Sequence, residues 1–293
     1  MQLHGNGIAI EVDDQGPRDG EPLLLIMGLG MQLVGWPDEL VQHLVAAGFR
    51  VVRFDNRDAG LSQGFDHLGV PNVVVATLRH ALRLPLRAPY SLADMARDAA
   101  GVLDALGIAR AHVCGASMGG MIAQRLAVHH PERVKSLTLM MTTSGARRLP
   151  QATARVRRAL LARPASSSED DVIAQSMSVL ELIGSPAYRP DPQDMRQRLL
   201  HALRRAYRPA GMLRQLVAIA ADGDRSPGLG GLRMPCHVIH GTADPLVPLA
   251  GGIDLAAKIG GATRDLIDGM GHDLPLALLP RFAAGIAQAA ARA

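Results

Sequence analysis

The chain has 293 residues, of which 48% are hydrophobic and 20% charged, with a formal net charge of +4. That length suits one large domain or one domain with an insert, and the composition excludes a disordered polymer. Aromatic residues make up only 3%, too few for base stacking, which argues against a nucleic-acid partner despite the positive charge.

Residues 3–12 alternate loosely and break at Gly5 and Gly7, predicting an edge strand or hairpin. Leu23 to Met27 is a short apolar run that stops at Gly28, as a buried strand would. A helical pattern follows over 39–47, closed by Gly48, and then a strand over 51–55. The polar turn Asp55-Asn56-Arg57-Asp58-Ala59-Gly60-Leu61-Ser62 leaves that strand, and Asp55, Arg57 and Asp58 read as braces for neighbouring loops. Ser91 with Asp94 three residues on predicts the N-cap of a helix over 92–106, ended by Gly107. A strand over 111–114, a helix over 118–129 and a strand over 136–141 come next. Strand signals vanish between 145 and 230, where the pattern is helical with polar breaks. They resume with strands over 236–240 and 262–267 and a closing helix over 278–291.

Short apolar runs alternating with helices indicate an α/β fold, a mostly parallel sheet covered on both faces. The division expected is 1–144 and 231–293 for the core and 145–230 for a helical cap over the carboxyl edge of the sheet. Between Arg147 and Arg214 there are 13 arginines, 6 acidic residues and no lysine. Helical spacing of Arg155, Arg157, Arg158, Arg204, Arg205 and Arg208 predicts solvated helix faces. No stretch reaches the ~18 apolar residues of a membrane helix. Met1 to Gly7 carries no signal-peptide pattern. Cys114 and Cys236 both fall in predicted strands, which disfavours a disulfide scaffold and fits a cytoplasmic address. His112, Cys114, His237 and His240 have no zinc-site spacing, so no metal is expected. A homo-oligomer is left open.

The chemistry concentrates at three strand ends. Gly115-Ala116-Ser117-Met118-Gly119-Gly120 sets a serine between glycines at the junction of a strand and a helix. Such a serine sits on a sharp turn that lifts its hydroxyl clear of the sheet and aims free helix N–H groups at whatever it attacks. A serine needs a base to take its proton and a carboxylate to orient that base. Asp244 follows one strand in a turn stiffened by Pro245 and Pro248, and His272 stands in a glycine-flanked loop after the last strand. Asp268, Asp222 and Asp224 are weaker rivals for the acid. An oxyanion would need backbone donors. Met118 supplies one, and the loop Met27-Gly28-Leu29-Gly30-Met31 supplies another at Leu29, with Gly30 as the alternative. That loop lacks the G-x-G-x-x-G spacing of a dinucleotide site. Met31, Met118, Met121, Leu180, Leu182, Leu213 and Leu216 are candidates for an apolar substrate pocket.

These segments together resemble an α/β-hydrolase over nearly the whole chain. Gly35-Trp36-Pro37 and Asn56-Arg57-Asp58 make it similar to the group containing the methylesterases of anthracycline biosynthesis. The resemblance implies an eight-stranded sheet with an antiparallel second strand and a helical cap after the sixth. It also implies Ser117, Asp244 and His272 as nucleophile, acid and base, without a cofactor. Met27 departs from the histidine common before Gly28. A serine at 117 rules against the dehalogenase and epoxide hydrolase branches, which attack with aspartate. Hydrolysis of a small-molecule carboxylic ester is the leading expectation. Carbon–carbon, lactone or thioester hydrolysis and perhydrolysis use the same three residues. A non-catalytic ligand-binding protein on this fold is the reading from another class.

Overall fold

The computed structural model describes residues 1–82 and 84–293. In chain order the elements are β1 (Gln2–Gly5), β2 (Ile8–Gln15), β3 (Glu21–Ile26), α1 (Asp38–Ala46), β4 (Phe49–Phe54), α2 (Val73–Ala81), α3 (Leu92–Ala105), β5 (Ala111–Ala116), α4 (Met118–His129) and β6 (Val134–Met140). Five helices follow: α5 (Ala154–Leu161), α6 (Glu169–Ile183), α7 (Pro192–Arg205), α8 (Pro209–Asp222) and α9 (Ser226–Leu229). The chain ends with β7 (Cys236–Gly241), α10 (Ala250–Lys258), β8 (Thr263–Ile267) and α11 (Leu279–Ala290).

All eight strands join one sheet in the order β1-β2-β4-β3-β5-β6-β7-β8. β2 runs antiparallel to both of its neighbours, and every pairing from β4 to β8 is parallel. The strands β3 to β7 are buried at nearly every position because both faces are covered. In β3, Leu24 and Ile26 face the core under α3 and α4, whereas Leu23 and Leu25 face the core under α1 and α11. The chain leaves β3 toward one edge and returns to β5 to build the other. The crevice between the carboxyl ends of β3 and β5 is therefore the topological switch point, where open α/β sheets bind ligands. No helix among the described residues is long and apolar enough to cross a membrane.

Two helices escape the sequence pattern. α2 opens with three β-branched residues, Val73, Val74 and Val75, and is started by the Asn72 side chain accepting from the Val75 N–H. α10 opens with Gly251 and Gly252, which read as a breaker; a Cβ on Gly252 would lie 2.5 Å from His240 Nδ1. Close packing on that buried ring, not turn chemistry, explains the glycine.

The helices α5 to α9 lie between β6 and β7 and have a small core of their own. Ala152, Val156 and Ile183 are buried there, with Leu180 and Leu182 packed beside them. The solvated-face expectation holds for Arg155, Arg157, Arg158 and Arg204, which are exposed. It fails for Arg205 and Arg208. Arg205 donates to Asp55 at 2.7 Å and to Gln32, and Arg208 donates to the Gly60 carbonyl. Arg214, 1% exposed, spans both oxygens of buried Asp58 at 2.8 Å and reaches Asp66. Helical spacing marks a stripe but does not say which stripe meets another carboxylate-bearing surface. The bracing role expected of the polar turn is seen directly. Asp55 accepts from the Leu33 and Leu61 N–H groups, Arg57 forks onto Asp98, and Asp58 accepts from Phe65.

Candidate active site

Ser117 joins β5 to α4 with φ 55° and ψ −119°, a left-handed conformation for a residue with a Cβ. Such a residue costs on the order of 1–3 kcal/mol and persists only where its surroundings over-determine it. Here its N–H donates to the Met140 carbonyl at 2.9 Å. Its carbonyl accepts from Gly120, from Met121 and from the buried Thr142 hydroxyl at 2.7 Å. At about 1 kcal/mol net for each bond, this set offsets the strain. The flanking glycines follow from contact. A Cβ on Gly115 would stand 2.2 Å from the Gly119 carbonyl oxygen, and one on Gly119 only 1.9 Å from that of Ile26. The strand–turn–helix passage is thus too narrow for any side chain at either position.

Asp244 leaves the end of β7 in a turn it holds itself. Its Oδ1 accepts from the Leu246 and Val247 N–H groups at 2.9 and 2.8 Å. Its Oδ2 lies 2.7 Å from His272 Nδ1, and His272 Nε2 lies 2.9 Å from Ser117 Oγ. A carboxylate only accepts, so Nδ1 carries the proton, and a neutral ring presents a bare Nε2 to the serine hydroxyl. Asp244 and His272 are buried, and Ser117 is half-buried. The three side chains named from sequence, drawn from three strand ends, form one continuous line.

The rival acids are engaged elsewhere. Asp268 accepts from the Thr242 hydroxyl, Asp222 pairs with Arg125 and Arg225, and Asp224 accepts from the Ser226 N–H. On the opposite side of the serine, Gly28 faces Ser117, where an added Cβ would lie 3.2 Å from the serine Cβ. The Gly30 N–H is taken, donating to Gln215 Oε1 at 2.8 Å, and the Met31 N–H donates to the Gly28 carbonyl. The N–H groups of Leu29 and Met118 have no acceptor among the described residues. Gly30, the alternative donor, is therefore committed to another bond.

The proposed pocket residues scatter. Met121 is buried in the main core, Met31 is exposed, and Leu213 and Leu216 are half-buried on α8. Leu180 lines a cleft of about 110 Å³ together with Met177, Gly184, Ser185, Met195 and Asp273. Sequence reasoning missed the groups behind the line. Burial pushes the Asp273 carboxyl up, against a hydrogen bond from Ser185. The His240 ring donates from Nε2 to the Val247 carbonyl at 2.8 Å, leaving a buried Nδ1 without a partner among the described residues. Burial holds that ring below the usual histidine range. Among the described residues no cluster of three or more His, Cys, Asp or Glu could hold a metal ion. Cys114 and Cys236 are free and buried, and burial pushes the Cys236 thiol up to about 12.

Residues 21–276 match the family described as the alpha/beta hydrolase fold. The chain belongs to the α/β-hydrolase family. It is 32% identical over 292 residues to rhodomycin D methylesterase DauP of Streptomyces sp. strain C5, covering 92% of this chain and 90% of that one. Rhodomycin D methylesterase DnrP of Streptomyces peucetius is 31% identical with the same coverage. Among solved structures, the enol-lactonase from Burkholderia xenovorans LB400 superposes with a TM-score of 0.74 at 23% identity, covering 99% of both chains. The last likeness is one of fold. Together with the two methylesterases, the family match makes this chain an esterase-like α/β-hydrolase.

Proposed function

We propose that the chain is a serine carboxylesterase that works through an acyl-enzyme on Ser117. The observation that carries this reading is the unbroken line of contacts from Asp244 through His272 to a strained serine, at 2.7 and 2.9 Å. In this scheme Ser117 Oγ attacks the ester carbonyl while His272 Nε2 takes its proton. Asp244 keeps the second ring proton on Nδ1 and stabilises the imidazolium. The N–H groups of Leu29 and Met118 receive the oxyanion, a role supported by their having no acceptor among the described residues and by the prior engagement of Gly30. Protonated His272 then releases the alcohol. Water, activated by the same ring, attacks the acyl-enzyme and returns free Ser117. The scheme needs no cofactor.

Methyl esters are the substrate class to test first, because the two Streptomyces relatives that match over 292 residues are named as methylesterases. The helices of 145–230 would form the wall around such a substrate. A panel of p-nitrophenyl esters, a methyl ester, a lactone, an acyl-thioester and a dienone ranks the chemistry. Mass spectrometry after treatment with a fluorophosphonate should place the adduct on Ser117 and find none in Ser117→Ala. Turnover of no ester in the panel, or unchanged ester hydrolysis by Ser117→Ala, would overturn the reading.

A further inference from the structure

The helical insert grips both loops that flank Ser117, each through a buried polar side chain. On one side, Gln215 of α8 is 0% exposed. Its Oε1 accepts from the Gly30 N–H and its Nε2 donates to the Arg57 carbonyl, both at 2.8 Å. The fit leaves no slack. Gly30 has φ +67°, a Cβ there would lie 2.7 Å from Met212 Cγ, and a Cβ on Gly211 would lie 2.1 Å from the Asp58 carbonyl oxygen. The neighbouring Arg214–Asp58 pair pins the same turn of α8 to the core. Fixing the Gly30 N–H fixes the peptide next to it, which carries the Leu29 N–H.

On the other side, the C-terminal end of α6 holds the histidine loop. The Ile183 carbonyl, a helix-end acceptor without an intrahelical partner, accepts from the His272 N–H at 2.7 Å. Ser185 Oγ accepts from the Gly271 N–H at 2.8 Å and donates to Asp273 Oδ1. The two backbones are so close that a Cβ on Gly271 would lie 2.4 Å from the Gly184 carbonyl. One hydroxyl thus ties the residues on both sides of His272 to the insert.

We propose that the insert is a working part of the reaction centre, with Gln215 positioning the oxyanion loop and Ser185 positioning the loop of His272. This rests on the esterase reading above. Neither side chain touches the reacting atoms; both are positioning residues. Their loss therefore lowers the rate of the chemical step and leaves substrate affinity almost unchanged. Removing one oxyanion-hole donor outright costs about 10²–10³ in kcat, so a displaced donor costs less, about 10–100-fold for Gln215→Met. Ser185→Ala leaves a buried N–H unpaired and loosens the base loop, which keeps only the Ile183 tie, with an expected loss of about tenfold.

The test measures kcat and KM separately on one p-nitrophenyl ester for wild type, Ser117→Ala, Gln215→Met, Ser185→Ala and Ser185→Thr. Thermal unfolding of each variant runs alongside. The expected result is a fall in kcat with KM within about threefold in both positioning variants. Ser185→Thr, which keeps the hydroxyl, should recover most of the rate. The downfield proton resonance of His272 Nδ1–H should broaden in Ser185→Ala only. Ser185→Ala removes a single oxygen and reads the proposal even if Gln215→Met does not fold. If Ser117→Ala abolishes turnover while kcat stays within twofold in Gln215→Met and Ser185→Ala, the proposal fails and the esterase reading stands. A change confined to KM also overturns it, since the insert would then act on substrate alone. Turnover surviving in Ser117→Ala would instead sink the underlying reading.

Discussion

Asp244→Asn separates the orienting role of this side chain from its structural one, because the surrounding bonds dictate how an asparagine must sit. Two backbone N–H groups, from Leu246 and Val247, point at Oδ1. The amide oxygen has to take that place, since an NH₂ group there would face two donors. The NH₂ group is then left in the position of Oδ2, 2.7 Å from His272 Nδ1. A donor opposite Nδ1 selects the tautomer with a bare Nδ1 and a proton on Nε2. That proton faces Ser117 Oγ, and the ring can no longer accept the hydroxyl proton.

A wrong-tautomer substitution of this kind lowers kcat by about 10⁴ in a serine–histidine–aspartate system, equivalent to about 5.5 kcal/mol of transition-state stabilisation. The turn keeps both of its backbone bonds, so the melting temperature should move little. Asp244→Ala, by contrast, also removes the turn bonds and should lose stability as well as activity. Steady-state hydrolysis of a p-nitrophenyl ester gives the rate, and ¹⁵N chemical shifts of the His272 ring report the tautomer. A kcat for Asp244→Asn within tenfold of wild type would refute the reasoning, as would an unchanged tautomer.

Gly119→Ala should destabilise the fold by more than about 4 kcal/mol or prevent it, because the new methyl would meet the backbone oxygens of Ile26 and Met27 at 1.9 and 2.8 Å. Gly48→Ala, with φ +91° but open space around it, should cost only about 1–2 kcal/mol; equal urea midpoints for the two would contradict the contact argument. Arg214→Met leaves the buried Asp58 carboxylate with little but the Phe65 N–H, for an expected loss of about 3–5 kcal/mol. A loss below 1 kcal/mol in chemical denaturation would show that the pair is not needed to hold that carboxylate. Burial keeps the rings of His112, His237 and His240 below the ordinary value of 6.5. Between the depressed values and 6.5 the unfolded chain binds protons the folded one refuses, so stability should fall as pH drops through that window. For Asp58 and Asp254, burial is the largest single influence and raises the carboxyls, but hydrogen bonds and nearby charge together, led by Arg214 and Lys258, leave both lowered. Their contribution is lost further down, as pH falls below about 4. A melting temperature that stays flat from pH 7.5 to 5.5 in differential scanning fluorimetry would contradict the histidine part.

The strands and the three aligned side chains were legible in the sequence for one reason. Ser117 and Asp244 each follow the apolar run of a buried strand, His272 follows the mixed edge strand Thr263–Ile267, and the strands of a parallel sheet all end on one edge. The residues that hold these loops in place have no comparable signature. Gln215 meets Gly30 across 185 positions of sequence, and Ser185 looks like any serine after a helix-ending glycine. The sole hint was a pair of polar residues, Arg214 and Gln215, inside the apolar stretch from Met212 to Val217. That placement is costly unless something buried answers it. The pocket residues were less legible. Met121 satisfies an apolar pattern equally well as core or as wall, and periodicity does not say which layer lies opposite.

The arginine surplus of the insert acquires a purpose from the same geometry. Arg205, Arg208 and Arg214 answer Asp55, the Gly60 carbonyl and Asp58 on the polar turn after β4. Exposed pairs such as Arg196–Asp170 and Arg204–Glu169 remain within the insert. Exposed pairs contribute little to stability, and buried ones are often no better than an apolar replacement of the same shape. What the buried set does supply is a unique seat. Moving α8 by one turn, about 5.4 Å, would leave Asp58, Arg214, the Gly30 N–H and Gln215 unpaired at once. The observed register satisfies them all, and in it the Leu29 N–H has no acceptor among the described residues. The charge pattern that looks like a solvated surface in one dimension is, in three, the key by which the insert finds its place.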